Sequence, residues 1–264
     1  MKAISAFVRF GMVMAAIAAV PSLAVAETPA SKFDCVAPPD LARLDYPLRR
    51  AGQRLAAGLP LTIVAVGSSS TSGAGASSPA MSYPSRLAVE LKTLFPRSEI
   101  SVINRGVGGE TAKEMLARFD SEVIADKPDM VVWQVGSNSV LRDQPLDPAG
   151  ALIRQGLRTL KAAGADVILM NPQYAPKVIA KHDAELMVDL IGRAAKEAHV
   201  DLFQRFAVMR YWRLTEGIPF ETFVSPDELH MNDWSYGCVA KLLAGAIADA
   251  AQRPTLTAGA SAAK

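Results

Sequence analysis

Residues 61–75, LTIVAVGSSSTSGAG, constrain the fold of this chain more than any other stretch. The first six are apolar and β-favouring, without the alternation of a half-exposed strand. This pattern is typical of a parallel strand that is buried on both faces. The strand ends at Gly67, and a run of short hydroxyl side chains follows. Because ligands bind outside the carboxyl ends of the strands in open α/β sheets, we expect a functional site at this turn.

The segments that follow alternate between strand and helix patterns. Strands are predicted at residues 61–66, 99–104, 130–135, 166–170 and 200–206. Helices are predicted after Ser82, after a capping box formed by Thr111 and Glu114, from Asp147 to a stop near residue 164, and along the apolar stripes of residues 187–198 and 239–247. Such βα units cross over right-handedly, which predicts an α/β fold: a parallel sheet with helices on both faces.

The amino-terminal residues have the pattern of a secretory signal peptide. Lys2 and Arg9 precede an apolar run, and Ala24-Val25-Ala26 supplies small residues for a cleavage site. We therefore predict a signal peptide at residues 1–26, removed after Ala26, and a periplasmic or secreted protein. The alternative is an uncleaved membrane anchor.

The rest of the chain is interpreted as one domain with two flanking segments. Residues 27–60 are predicted to form an extended lead-in followed by one helix within residues 41–59. Residues 61–251 are predicted to form the α/β domain. Residues 252–264, rich in Thr, Gly, Ser and Ala, are expected to be disordered.

Charge and cysteine content exclude several classes of partner. The chain has 28 basic and 26 acidic residues, and removal of Lys2 and Arg9 with the signal peptide makes the numbers equal. We therefore expect no nucleic-acid partner and no stable membrane binding. Cys35 and Cys238 are either paired in a disulfide or unpaired and buried; an oxidising compartment favours the disulfide. Because two cysteines and three histidines show no metal-ligand spacing, no metal site and no cofactor are expected.

Four segments with chemically active residues lie where loops of this fold can meet. They are residues 67–73 (GSSSTSG), 104–111 (NRGVGGET), 136–139 (GSNS) and 227–230 (DELH). Acyl transfer through a serine needs a base, an acid that orients the base, and donors for the developing oxyanion. A serine, a histidine three residues after an aspartate, a glycine turn and an asparagine amide are all present here.

On these residues the chain resembles the SGNH/GDSL-family hydrolases, which are serine esterases and lipases. It matches the four blocks of the family in order, between about residues 61 and 250. The family's first block, Gly-Asp-Ser-x-Thr-x-Gly, falls on residues 67–73, its Gly-x-Asn-Asp block on 136–139 and its Asp-x-x-His block on 227–230. The resemblance implies a three-layer α/β/α domain with a five-stranded parallel sheet in the flavodoxin-like order 2-1-3-4-5.

The resemblance also implies a role for each residue of the site. Ser69 would be the nucleophile, His230 the base and Asp227 the carboxylate that orients the base. The backbone N–H groups of Ser69 and Gly109 and the side-chain amide of Asn138 would form the oxyanion hole. The implied activity is that of a serine-dependent carboxylic ester hydrolase, an esterase or deacylase.

Two positions depart from the family pattern, because Ser68 and Ser139 stand where the family has aspartates. Those aspartates brace their loops, and we expect a serine to form hydrogen bonds in their place. Other interpretations of single segments remain open. Ser69 is one of several turn serines, the glycine turn could hold a phosphate at a helix amino terminus, and His182 and His199 are interpreted as structural histidines. The α/β-hydrolases are the nearest other class of serine enzyme, but the Gly-x-Ser-x-Gly motif of their nucleophile elbow does not occur in this chain.

The sequence restricts the substrate only weakly. A small-molecule or glycan ester is expected, with O-acetylated glycans favoured by the predicted compartment. Loops 171–180 and 211–223 are predicted to wall the pocket with Tyr174, Tyr211, Trp212 and Phe220, unless these rings cover the core instead. An O-acyltransferase with the same triad is the alternative enzyme, and a glycan-binding module without activity is the alternative from another class.

Overall fold

In the computed structural model, the described residues are 33–253. The predicted signal peptide lies outside them, as does the tail beyond Arg253. No helix among residues 33–253 is long and apolar enough to cross a membrane. The division of the chain at residues 60 and 251 stays a prediction.

The centre of the domain is a five-stranded sheet in which every neighbouring pair is parallel. Its strands are β1 (Leu61–Gly67), β2 (Ile100–Gly106), β3 (Met130–Gln134), β4 (Asp166–Met170) and β5 (Asp201–Phe203). Their order is β2-β1-β3-β4-β5. This confirms the predicted fold class and the strand order 2-1-3-4-5.

The helices cover both faces of the sheet. They are α1 (Arg49–Ala56), α2 (Ser69–Ser72), α3 (Tyr83–Leu94), α4 (Ala112–Ala117), α5 (Ser137–Leu141), α6 (Leu146–Ala162), α7 (Pro176–Ile179), α8 (Ala184–Ala198), α9 (Arg205–Leu214), α10 (Phe220–Phe223) and α11 (Asp233–Gln252). One apolar core lies between the sheet and α1, α3, α9 and α11; the other lies between the sheet and α4, α6 and α8.

The burial of β1 and β3 explains their unbroken apolar sequences. In β1, Ile63 and Ala65 belong to one core and Val64 and Val66 to the other, because successive side chains of a strand point to opposite faces. Thr62 is the one residue of β1 that is not fully buried. Because helices cover both faces of the sheet, neither face of the strand contacts solvent and neither needs polar side chains.

The predicted fifth strand and the predicted helix of the lead-in are several residues shorter in the structure. The fifth strand, predicted at 200–206, ends at Phe203, and residues 205–214 form α9. The side chain of Asn171 accepts a hydrogen bond from the N–H of Phe206 at 2.9 Å, which satisfies a donor in the first turn of α9. The helix predicted within 41–59 is confined to α1. The residue before Pro47 is disfavoured in the helical region, and α1 begins only after this proline.

Of the two helix starts predicted from capping residues, one capping contact is wrong and the other is confirmed. Helix α3 begins immediately after Ser82 as predicted, but the Ser82 hydroxyl donates to the carbonyl of Pro79 instead of capping the helix. The capping box of Thr111 and Glu114 at the start of α4 is confirmed.

Three aspartates at the amino-terminal ends of neighbouring strands hold the lead-in segment; we call them the aspartate edge (Asp129, Asp166 and Asp201). Asp201 Oδ1 accepts the N–H of Tyr46 at 2.9 Å, and Asp166 Oδ2 accepts the N–H of Ala51 at 2.9 Å. Burial raises the pKa of Asp166, and it raises that of Asp201 to about 6.

Asp129 completes the aspartate edge with charged partners. Its carboxylate accepts hydrogen bonds from Arg50 Nε at 2.8 Å and from the N–H of Thr62 at 3.0 Å, and it forms an ion pair with Arg54, whose Nε lies 2.9 Å away. The lead-in is also tied down covalently, because Cys35 forms a disulfide with Cys238 in α11, with a Cα–Cα distance of 5.4 Å. The aspartate edge and the disulfide to α11 therefore fix the lead-in to the domain.

Candidate active site

Ser69 lies where the sequence places a functional turn, at the carboxyl end of β1. It is the first residue of the short helix α2, and its side chain is partly exposed while Ser68 and Ser70 are buried. Helix α2 packs directly on the end of β2, since a Cβ at Gly106 would lie 2.2 Å from the backbone nitrogen of Ser72. Of the three consecutive serines, the turn therefore partly exposes only Ser69 and buries Ser68 and Ser70.

A hydrogen-bonded line joins Ser69 to two residues from the other end of the chain. Ser69 Oγ is 2.8 Å from His230 Nε2, and His230 Nδ1 is 2.5 Å from Asp227 Oδ2. The His230 side chain is 16% exposed and that of Asp227 is 45% exposed. The structure thus brings together the predicted nucleophile, base and orienting carboxylate, in the order that a general-base mechanism requires.

The carboxylate of Asp227 is held by its own loop. Its Oδ1 accepts the N–H groups of Leu229 at 3.0 Å and His230 at 2.9 Å. Burial acts to raise the pKa of Asp227, but the hydrogen bonds from the His230 ring and from these two N–H groups outweigh it and lower the pKa to about 2. Asp227 is therefore a carboxylate at neutral pH and fixes His230 with the proton on Nδ1.

The position where the family has an aspartate before the nucleophile is braced by a glutamine. Gln134, the last residue of β3, accepts at Oε1 from the backbone N–H of Ser68 at 2.9 Å, from Ser68 Oγ at 3.0 Å and from Thr71 Oγ1 at 3.2 Å. Both Ser68 and Gln134 are buried. Ser68 therefore forms a bracing hydrogen bond, as expected. For Ser139, which is also buried, the backbone carbonyl accepts the N–H of Gln144 at 2.9 Å.

The loop that contains Gly109 is tied to β1 and to Asn138. The N–H of Val107 donates to the carbonyl of Gly67 at 3.0 Å, and Asn138 Nδ2 donates to the carbonyl of Glu110 at 2.8 Å. Gly109 has a φ of 82°, in the left-handed region that favours glycine. The Asn138 amide carries two hydrogens, so one remains for a ligand after the bond to Glu110.

The nearly buried side chain of Arg118 forms hydrogen bonds to the same loops. Arg118 Nη2 donates to the carbonyl of Arg105 at 2.7 Å and to Glu110 Oε2 at 2.7 Å, and it lies 3.4 Å from the carbonyl of Gly67. The ends of β1 and β2 and the Glu110 loop therefore share one guanidinium. Neither Arg118 nor Gln134 was predicted to belong to the site, and no role was predicted for Asn104, whose Nδ2 donates to the carbonyl of Thr71 at 2.9 Å. Gln134 was detectable in principle, as a lone polar residue that closes an apolar strand.

The predicted wall residues and structural histidines differ in where they lie. Trp212 is fully buried in the core, which agrees with the alternative interpretation for that ring. Phe220 lines a cavity of about 490 Å³ beside the Asp227 loop, together with Gly75, Pro176 and Glu228. His199 ends α8 and packs against Tyr46, at the opposite edge of the sheet. Within the described residues, no group of three His, Cys, Asp or Glu side chains could hold a metal ion.

The sheet order and the loops at its carboxyl edge define an SGNH-type hydrolase fold, as the sequence predicted. The family model for the Non-GDSL lipase-like family matches residues 34–253. The chain belongs to this family.

Two similar curated proteins are named as esterases. The chain is 32% identical over 120 residues to an acetylxylan esterase of Geobacillus stearothermophilus, covering 40% of this chain and 53% of that protein. It is 27% identical over 125 residues to an arylesterase of Vibrio mimicus, covering 47% of this chain and 61% of that protein. The matches therefore span little more than half of these relatives. Their activities agree with the predicted class of enzyme, an esterase that acts on ester bonds.

Solved structures show the same architecture. A two-domain esterase active on acetylated mannans superposes with a TM-score of 0.69 at 22% identity, over 80% of this chain and 56% of that chain. Axe2, an acetylxylan esterase from Geobacillus stearothermophilus, superposes with a TM-score of 0.60 at 21% identity, over 71% of this chain and 94% of that chain. At these identities the likeness establishes the fold alone.

Proposed function

We propose that this protein is a serine-dependent carboxylic ester hydrolase that works through an acyl-serine intermediate. The observation that carries the proposal is the pair of contacts made by the His230 ring. Nε2 lies 2.8 Å from the hydroxyl of Ser69, while Nδ1 lies 2.5 Å from the carboxylate of Asp227. A serine on a sharp strand-to-helix turn, in contact with an oriented imidazole, is an activated nucleophile.

In the proposed reaction, Ser69 Oγ attacks the ester carbonyl carbon while its proton moves to His230 Nε2. Asp227 accepts the hydrogen bond from Nδ1–H and stabilises the imidazolium that forms. The imidazolium then gives its proton to the departing alcohol, which leaves an acyl-serine. Water, deprotonated by His230, attacks the acyl carbon and releases the acid.

The negative oxygen of each tetrahedral intermediate needs donors that are already in place. The backbone N–H groups of Ser69 and Gly109 and the free hydrogen of the Asn138 amide are proposed to supply them. The bonds that fix these loops to one another, from Asn138 to Glu110 and from Arg118 to the ends of β1 and β2, support this role, because they hold the donors without reorganisation. One such donor is typically worth about 3 kcal/mol at the transition state.

For the substrate, we propose O-acetylated glycans. The support comes from the similar proteins, since one relative is an acetylxylan esterase and one similar structure is of an esterase active on acetylated mannans. We place the protein in the periplasm or outside the cell. The signal-peptide pattern of residues 1–26 and the disulfide between Cys35 and Cys238 support that location, because such bonds persist in oxidising compartments.

Covalent labelling with a fluorophosphonate tests the proposal. The probe is expected to modify Ser69, as located by mass spectrometry, and Ser69→Ala should abolish both labelling and hydrolysis of p-nitrophenyl acetate. Ser78→Ala is the matched control, since Ser78 belongs to the same serine-rich segment, is exposed and makes no side-chain cap. The proposal fails if the folded parent protein is not labelled. That result would favour the alternative from another class, a glycan-binding module without activity.

A second assay separates hydrolysis from acyl transfer. The parent protein is incubated with an acetylated xylo-oligosaccharide, with and without a deacetylated acceptor glycan. We expect acetate release at the same rate in both mixtures. Acetate that appears on the acceptor in place of free acid would identify an O-acyltransferase with the same triad.

A further inference from the structure

A buried cation without a carboxylate partner lies beneath the candidate active site. Arg205, in the first turn of α9, is 0% exposed, and within residues 33–253 its guanidinium forms no ion pair. Nε donates to the carbonyl of Asn171 at 3.0 Å and Nη2 to Gln173 Oε1 at 3.0 Å, while Nη1 is buried without a hydrogen-bond partner. A buried charge with incomplete hydrogen bonding is costly to the fold, so its contacts call for an explanation beyond packing.

The main contact of this cation is a glutamine that joins two loops of the site. Gln173 is 2% exposed. Its Oε1 also accepts from Ser137 Oγ at 2.8 Å, and its Nε2 donates to the carbonyl of Leu229 at 3.1 Å. Ser137 directly precedes Asn138, and Leu229 directly precedes His230. One side-chain amide therefore reaches the neighbours of the candidate oxyanion donor and of the candidate base.

Arg205 determines which way this amide faces. A guanidinium carries only donors, so the atom of Gln173 that it contacts must be the oxygen. The Ser137 hydroxyl donates to the same oxygen. The NH₂ end is thereby directed at the carbonyl of Leu229, which needs a donor. The buried charge thus fixes one orientation of an amide that could otherwise flip.

We propose that Gln173, oriented by Arg205, is a positioning residue that sets the separation between His230 and Asn138. This inference rests on the proposed function, since it assigns a purpose to the distance between base and oxyanion donor. Ser69 lies between them in the reaction, and a misplacement of about 1 Å in such an arrangement can cost about 100-fold in rate. Gln173 acts through the backbone of Leu229 and the hydroxyl of Ser137 and does not touch the reacting atoms.

The substitution Gln173→Glu separates positioning from stability. Glutamate has the same shape, keeps an acceptor for Ser137 and gains an ion pair with Arg205, but it cannot donate to Leu229. A carboxylate oxygen then faces the Leu229 carbonyl and displaces the His230 loop. We expect kcat for p-nitrophenyl acetate to fall at least tenfold with KM within twofold of the parent, while Tm is unchanged or higher. A side chain that only stabilises the core would change activity and Tm in the same direction.

Gln155→Glu is the matched control, because it makes the same chemical change on the exposed face of α6. It should leave kcat and Tm at parental values. Ser137→Ala is a second test if Gln173→Glu does not fold. It removes only the bond on the Asn138 side, and kcat should fall at least threefold at constant KM.

Retention of kcat within twofold in a folded Gln173→Glu protein overturns the positioning role, as does a fall in kcat that is matched by a fall in Tm. If Gln173→Glu does not fold, a loss of less than threefold in Ser137→Ala overturns it. Fluorophosphonate labelling of the parent distinguishes the two levels of failure. A labelled, active parent with an equally active Gln173→Glu protein refutes only the role of Gln173, whereas an unlabelled parent refutes the proposed function and this inference with it.

Discussion

The pKa values of two aspartates, Asp227 at the carboxyl edge of the sheet and Asp201 at the amino edge, are shifted in opposite directions. At the carboxyl edge, Asp227 is partly exposed and is bonded to the His230 ring and to two backbone N–H groups, so its pKa falls to about 2. At the amino edge, Asp201 is buried against the lead-in segment, and the desolvation outweighs its N–H bonds and raises its pKa to about 6. The same type of side chain thus has a lowered pKa where it orients a base and a raised pKa where it fastens a segment.

This difference shows what each edge contributes. At the carboxyl edge, small loops from distant parts of the chain present a hydroxyl, an imidazole and an amide to the surface. At the amino edge, the carboxylates satisfy backbone donors of Tyr46 and Ala51 that would otherwise be buried without partners. We therefore expect substitutions at the first edge to affect activity and substitutions at the second to affect stability.

The largest expected effect that tests this comparison is that of Asp227→Asn. The amide would favour the wrong tautomer of His230, so kcat should fall by about 10³- to 10⁴-fold. The measurement is steady-state hydrolysis of p-nitrophenyl acetate, with Tm as the control for folding. Turnover within tenfold of the parent would show that Asp227 does not orient the base.

Asn138→Ala should have the next largest effect. Loss of one oxyanion donor typically lowers kcat by about 10²- to 10³-fold. The substitution also frees the carbonyl of Glu110, so the variant's Tm must be compared with that of the parent before the loss is assigned to the transition state. An effect below twofold would remove Asn138 from the oxyanion hole.

At the other edge, Asp129→Ala should lower stability and leave kcat unchanged. It removes the acceptor for Arg50 Nε and for the N–H of Thr62, and it removes the ion pair with Arg54. A loss of hydrogen bonds of this kind costs about 2 kcal/mol, which corresponds to about 4–8 °C in Tm for a domain of this size. A fall in kcat per folded molecule would contradict the expectation that substitutions at the amino edge affect only stability.

The smallest effect is the pH dependence of Asp201→Asn. The folded pKa of Asp201, about 6, lies above the unfolded value of 3.8, so the stability it contributes at low pH is lost as pH rises through 6. Asparagine keeps an acceptor for Tyr46 and carries no charge. The Tm of the variant relative to the parent should therefore rise by about 2–4 °C between pH 5 and pH 7.5. If the difference in Tm between the variant and the parent does not change with pH, ionisation of Asp201 does not destabilise the folded protein.

The strands, and the loops that carry the candidate site, could be predicted from local patterns, whereas the strand order and the role of each site residue come from the resemblance to the SGNH/GDSL family. The buried strands β1, β3 and β4 are apolar runs of strand length, and Ser69, Asn138 and Gly109 each lie just beyond a strand end. Asp227 and His230 are three residues apart, so their contact is almost local. The roles assigned to these residues remain proposals.

The supporting side chains could not be predicted in the same way. Gln173 and Arg205 are 32 residues apart, and the partner of Gln134 at Ser68 is 66 residues away. Arg205 falls within the predicted fifth strand, residues 200–206, whereas in the structure it is the first residue of α9. A lone polar residue at the end of a strand gives no sign of which loop it will hold.

The contact between Ser69 and His230 joins residues 161 positions apart in sequence. On the proposed function, a growing chain stays inert until translation has passed residue 230, because the hydroxyl has no imidazole to accept its proton before then. On the proposed location, a precursor that crosses the membrane unfolded would likewise lack the assembled site. The order of residues along the polypeptide would thus protect cytosolic esters without an inhibitor.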